Sequence, residues 1–329
     1  MSELQELSGL PVFDFPTENE GGDSKRGKGR GKDTEAELPA AGAVAWRIAM
    51  NAYDSEGPWE DEFARFLTLV DTTEVRAFIV GVWPEAYESS PESIVKALVD
   101  AADRFPALRS LYFGDISGEE CEISWINQGA VSPLLEAFPQ LEEFGVRGGQ
   151  DLELKPVRHE RLRSLSVETG GLDAEVVRDI AASDFPALEI LDLWLGTSEY
   201  GATASLEDLE PFLTGVRLPK LRHLALHNSD MQDRIAGAVA SAPVVARLEV
   251  LDLSMGTLSD EGAQALLEGQ PLTHLKKLDL SHHYLTEAME ERLRTTLGAE
   301  GVELDLSDSQ YEEWDQDGDW DSRYVSVGE

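Results

Sequence analysis

Between positions 247 and 285 the chain writes one unit twice. Leu248, Leu251 and Leu253 return as Leu275, Leu278 and Leu280, each a step of 27 positions. In an extended segment residues two apart share a face, so Leu251 and Leu253 point inward while Val250 and Asp252 point outward. Residues 259–269 then change period. Ser259 is a good N-cap, Asp260 and Glu261 suit the positive end of a helix, and Ala263, Leu266 and Leu267 fall at i, i+3 and i+4. One strand and one helix cannot bury these leucines alone, so successive units must stack.

The same L-x-x-L-x-L spacing runs back along the chain as Leu221/Leu224/Leu226, Leu188/Leu191/Leu193, Leu162/Leu165/Val167, Leu141/Phe144/Val146 and Leu108/Leu111/Phe113. Weaker copies are Val75/Phe78/Val80 and Ala43/Trp46/Ile48, and a closing copy keeps Leu304 and Leu306. About ten turns result, well above the roughly three such an array needs. Helices are about 10 Å across and paired strands about 4.8 Å apart, so the stack curves with its strands inside. The expected fold is an α/β leucine-rich-repeat solenoid, a horseshoe with a concave parallel β-sheet and convex helices. It occupies 38–306 as one elongated domain. Within it 43–72 reads as an N-terminal cap, with Trp59, Phe63, Phe66 and Leu67 on one helix face to close the open end of the stack. Residues 1–16 are expected to pack on the first turn. Residues 17–37, charged and nearly devoid of apolar side chains, read as a disordered insertion, and 307–329 as a disordered acidic tail.

The later copies, LDLSMGTLSDEGAQALL above all, resemble the ribonuclease-inhibitor type of leucine-rich repeat. The Asn that such repeats place after the strand is Gly256 and His283 here. Three longer blocks, at 121–128 (CEISWINQ), 158–172 (RHERLRSLSVETGGL) and 191–201 (LDLWLGTSEYG), are similar to a family of bacterial cytoplasmic leucine-rich-repeat proteins. Members are often encoded beside radical-SAM and ATP-grasp-like enzymes. The resemblance thus implies an accessory role and supplies no catalytic residue.

Composition narrows the function by exclusion. A formal net charge of −37 repels nucleic acid and anionic membrane and steers basic partners inward, with general acidity of the host proteome as the plainer reading. The longest apolar runs fall far short of the roughly 18 residues a membrane span requires. No secretory pattern opens the chain, and a single cysteine, Cys121, suits a reducing compartment, so a cytoplasmic monomer is expected. Gly22, Gly27 and Lys28 match G-x-x-x-x-G-K, but Gly29 takes the Ser/Thr position and no strand precedes it. The nearby Lys25, Arg26, Lys28, Arg30 and Lys32 read as a solvated insertion. Asp315, Asp317 and Asp319 match the start of a calcium loop, but Trp320 stands where glycine is needed and Ser326 where glutamate is. No zinc spacing or hydrolase elbow is present, so no metal, cofactor or catalytic residue is assigned.

What remains is a surface. The register directs Asp192 and Trp194, His223 and His227, Asp252, and Asp279 onto the concave sheet. Two unusual loops add Trp125 and Tyr200. His223 and His227, four apart on a strand, are separated by about 13 Å, too far to share a metal. The Asp positions have a plainer reading as ordinary repeat composition, and Trp125 with Ile126 as filler of the seam between turns. Together these eight residues are the candidate site of a non-enzymatic protein–protein interaction module. The alternative is recognition of a small molecule or peptide accessory to an enzyme assembly. If Trp194 and His227 are surface residues, replacing both should leave thermal stability nearly unchanged.

Overall fold

The repeated leucines stand in columns. Twelve strands form one sheet in chain order: β1 (Glu6–Leu7), β2 (Leu10–Asp14), β3 (Ala45–Ile48), β4 (Ala77–Gly81), β5 (Ser110–Asp115), β6 (Glu143–Arg147), β7 (Ser164–Glu168), β8 (Ile190–Gly196), β9 (His223–Ser229), β10 (Val250–Asp252), β11 (Lys277–Asp279) and β12 (Glu303–Asp305). β1 and β2 form an antiparallel hairpin, and from β2 onward every neighbour pairs in parallel. Each strand from β3 to β12 carries one of the ten copies of the motif. Leu191, Leu224, Leu251, Leu278 and Leu304 align across the sheet, and Asp192, Ala225, Asp252, Asp279 and Asp305 align on its other face. The computed structural model describes residues 2–17, 38–52, 57–311 and 323–328. The phosphate-loop and basic patterns at 22–32 and the calcium-like pattern at 315–319 lie outside them.

Eight α-helices among the described residues follow the strands: α1 (Trp59–Leu69), α2 (Glu92–Asp100), α3 (Ser132–Ala137), α4 (Ala174–Ala182), α5 (Leu206–Thr214), α6 (Gln232–Val239), α7 (Asp260–Glu268) and α8 (Glu287–Thr296). Their apolar faces and the inward leucines form one continuous core. α7 starts as its sequence asks, with the Ser259 hydroxyl accepting the Glu261 N–H. At the N-terminal end aromatics replace leucines. Trp46, Phe66 and Phe78 are fully buried and meet edge to face, a geometry that adds about 0.5–1.5 kcal/mol per pair beyond burial. The shortest repeat, from Leu141 to Leu162, has no helix at all. Its chain stays extended and bridges to its neighbours instead.

Other side chains do the work of the missing Asn. His283, fully buried, reaches the Leu306 carbonyl through Nε2 at 3.2 Å and accepts the Leu285 N–H at Nδ1. At Gly256 the space belongs to Gln232, which donates to the Leu226 carbonyl from the preceding repeat at 2.8 Å; a Cβ on Gly256 would crowd its amide. In these two repeats different residues thereby satisfy buried backbone groups, as burial requires.

The N-terminal hairpin divides the concave face. Leu7 packs on Ala45, Ala77, Ile79 and Tyr112, all outward-facing positions of β3 to β5. An ionic clasp holds it there. The fully buried Asp115 accepts Arg47 at 2.8 Å, Arg147 at 3.3 Å and the Leu4 N–H at 3.1 Å. Arg47 also reaches Glu3 and Asp14, and Arg147 reaches Glu168. The hairpin thus covers the concave side of β3 to β5, and among the described residues nothing covers β8 to β12.

Candidate binding surface on the open concave face

The open half is built around β9. Its register sets Trp194 opposite His227 and places Asp192 and Asp252 on either side of Ala225. Because Ala225 has almost no side chain, both carboxylates lean over β9. His227 Nε2 meets Asp192 Oδ1 at 2.8 Å, and Nδ1 lies 3.4 Å from Asp252 Oδ1 and 3.2 Å from Ser254 Oγ. Trp194 packs edge-on against the same ring, centroids 5.6 Å apart.

These contacts settle the charge on His227. Burial opposes protonation, but Asp192 and Asp252 outweigh it and lift the imidazolium to about 10. Asp252 shows the reciprocal effect. Burial pushes its acid up, while His227 and the Ser254 hydroxyl and N–H pull it down to about 2. His223 goes the other way: burial dominates and lowers it, so this ring is neutral at pH 7. Ser254, His227 and Asp192 have the residue types of a nucleophile–base–orienter set. A ring that keeps its proton to about 10 cannot take one from a serine at neutral pH.

The expectation that Trp194 and His227 are free surface side chains is therefore corrected. His227 is 5 % exposed and ion-paired, and Trp194 is half-buried against it. A charge stranded on a concave strand finds the flanking carboxylates sooner than a partner. The Asp column is also not idle. Asp252, Asp279 and Asp305 each accept the N–H of the serine two positions on, at 2.9, 3.0 and 3.1 Å, and so close the strand. Asp279 is further buried beneath Lys277, 2.8 Å away. Around these pairs the open face keeps an exposed Ile190 and Glu303. Five carboxylates (Asp192, Asp252, Asp279, Glu303 and Asp305) face two cations, His227 and Lys277, leaving it negative.

Trp125 and Tyr200 lie elsewhere, on the rim formed by the loops after the strands. The seam reading holds for Ile126, which is fully buried, but not for Trp125, which is 55 % exposed. Trp125, Tyr200, Ser124, Gly149, Gly170 and Gly171 line a cleft of about 1140 Å³. Gly171 must be glycine, because a Cβ there would overlap the Tyr200 backbone. The sequence reading missed Arg47, Asp115 and Arg147, whose two shared ion pairs span 68 and 32 positions. An arginine at the centre of a strand was the available signal. Cys121 is buried, and desolvation with Glu122 and Glu120 pushes its thiol up to about 11.

No group of three or more metal-ligating side chains is found among the described residues, nor any helix long and apolar enough to cross a membrane. No family model matches the chain, and no curated protein matches it. Among solved structures, a protein of Bacteroides fragilis determined as a structural-genomics target is 30% identical over 75% of this chain and 69% of its own, with a TM-score of 0.70. An internalin from Listeria monocytogenes overlaps 80% of this chain and 61% of its own at 15% identity, with a TM-score of 0.39 too low to carry weight.

Proposed function

For this chain, which belongs to the same family as the Bacteroides fragilis protein, we propose a non-enzymatic protein–protein interaction module that engages a basic partner through the open concave face, β8 to β12. The observation that carries this reading is the division of the sheet. The chain covers the concave side of β3 to β5 with its own hairpin, and among the described residues nothing covers the acidic half. Extended concave surfaces are what solenoids offer to partners. An exposed Ile190 amid carboxylates suits a docking patch with an apolar centre and a charged rim. The buried ion pairs make this face rigid, which lowers the cost of association. A cytoplasmic monomer, with 38–306 as one repeat unit, is part of the same proposal.

The test replaces exposed residues only. Ile190→Arg with Glu303→Lys should abolish capture of a host protein that the wild type recovers from lysate, with the melting temperature unmoved. Capture by the wild type should also weaken as salt rises, because the attraction is screened. If wild type and variant recover the same proteins, the concave face is not the docking surface.

The rim cleft favours the second reading, recognition of a peptide or small molecule, since exposed aromatic and backbone-lined walls converge there.

A further inference from the structure

Residues 323–328 lie along the rim on a row of left-handed turns. Asn228, near the end of β9, and Met255 and His282, just past β10 and β11, all have positive φ, at 52°, 63° and 55°. Asp308, one strand further on, repeats the left-handed turn at 58°, so the turn belongs to the repeat, and Asn and His are among the residues that adopt it most readily. Each of the first three holds the segment. His282 Nε2 lies 3.1 Å from the Tyr324 carbonyl, the Met255 carbonyl accepts the Ser326 N–H at 2.8 Å, and Asn228 grips Val327 twice. Its Nδ2 donates to the Val327 carbonyl at 2.6 Å while its Oδ1 accepts the Val327 N–H at 3.0 Å. The spacing is commensurate. Two strand separations cover about 9.6 Å, and three residues of extended chain about 10 Å.

Side chains are read as well. Arg323 donates to Asp233 at 3.2 Å and to the Thr257 carbonyl at 2.9 Å. The Tyr324 phenol donates to Gln310, its backbone pairs with the Tyr284 hydroxyl, and its ring meets His282 edge-on. Gly328 offers its carbonyl to Ser124, passes over Gly170 and abuts Tyr200, so the groove opens into the cleft beside Trp125.

We propose that this rim is a recognition groove for an extended peptide of a partner protein, with the pattern basic–aromatic–Val–X–X–Gly, and that residues 323–328 occupy it in cis, the Val325 side chain buried. The recognition is mainly of backbone, with selectivity at the first three positions and at the final glycine. It does not depend on the concave face.

The test uses the full chain and a labelled Arg-Tyr-Val-Ser-Val-Gly peptide followed by fluorescence anisotropy. Val327→Pro removes the N–H given to Asn228 and releases the segment. Tyr324→Ala releases it from the other end, at a side chain already 52 % exposed. Either variant should bind the peptide at least ten-fold more tightly than the wild type. In the wild type the tethered segment competes at an effective concentration on the order of millimolar. Adding Asn228→Gly, which keeps the left-handed backbone but deletes the amide, should weaken binding at least ten-fold. The proposal is overturned if neither released variant binds the peptide, if wild type and released variants bind alike, or if Asn228→Gly changes nothing. Equal binding of a peptide with alanine in place of its arginine and tyrosine also overturns it.

Discussion

His227 Nε2 and Asp192 Oδ1, 35 positions apart in the chain, meet at 2.8 Å because neighbouring strands pair in a register that puts only Ala225 between the two flanking aspartates. A residue on the open side of the sheet thereby becomes part of the structure's interior electrostatics.

The imidazolium of His227 should persist through neutral pH. A histidine raised from the ordinary value to about 10 contributes stability in full below about pH 6.5 and loses it as pH climbs through about 10. Asp252 acts in the opposite window. Held at about 2, it contributes above its unfolded value and loses that contribution as pH falls through about 2. NMR titration of the ring should show no deprotonation between pH 6 and 8; a midpoint near 6.5 would contradict the pairing.

Replacing Trp194 and His227 together should destabilise the fold. Removing one member of a buried ion cluster costs about 3–5 kcal/mol, because the carboxylates left behind lose their counter-charge. Thermal or urea unfolding measures this directly. An unchanged midpoint would mean that both side chains are dispensable surface groups after all.

Asp115→Ala should free the hairpin before it unfolds the sheet. Arg47 and Arg147 would lose their shared buried partner and Leu4 its acceptor. A global cost of roughly 3–5 kcal/mol is expected. Hydrogen exchange should quicken most at 4–14 while β10 to β12 keep their protection. Uniform acceleration across the chain would argue against a hairpin-specific clasp.

Gly145→Ala tests the packing under that hairpin. A Cβ at this position would overlap the Tyr112 ring, which lies on the neighbouring strand and supports Leu7. Forcing the ring aside should cost about 1–3 kcal/mol. A variant as stable as the wild type in denaturant would show that the ring has room to move.

Trp125→Ala is the contrasting case. A tryptophan 55 % exposed on the rim contributes little to the core, so its loss should shift stability by less than about 0.5 kcal/mol. A large fall in melting temperature would return Trp125 to the seam between repeats.

The solenoid was legible because its cause is local. Alternation along a strand and a repeat of some 27 residues fix which way Leu251, Leu278 and their counterparts face, and ten copies of that choice leave one way to stack. The aromatic strand and helix at Trp46, Trp59 and Phe66 were legible for the same reason, whereas β2 pairing on the outer edge of β3 was not. What happens on the outward side is decided at long range. Whether His227 is a contact residue or a buried cation depends on Asp192 and Asp252, which arrive from adjacent repeats. Whether the concave sheet is open depends on a hairpin clasped by Asp115, and whether the rim is empty depends on residues 323–328, which hydrogen-bond to Asn228 across 99 positions. Periodicity records the direction of a side chain; only the folded chain supplies the group that covers it.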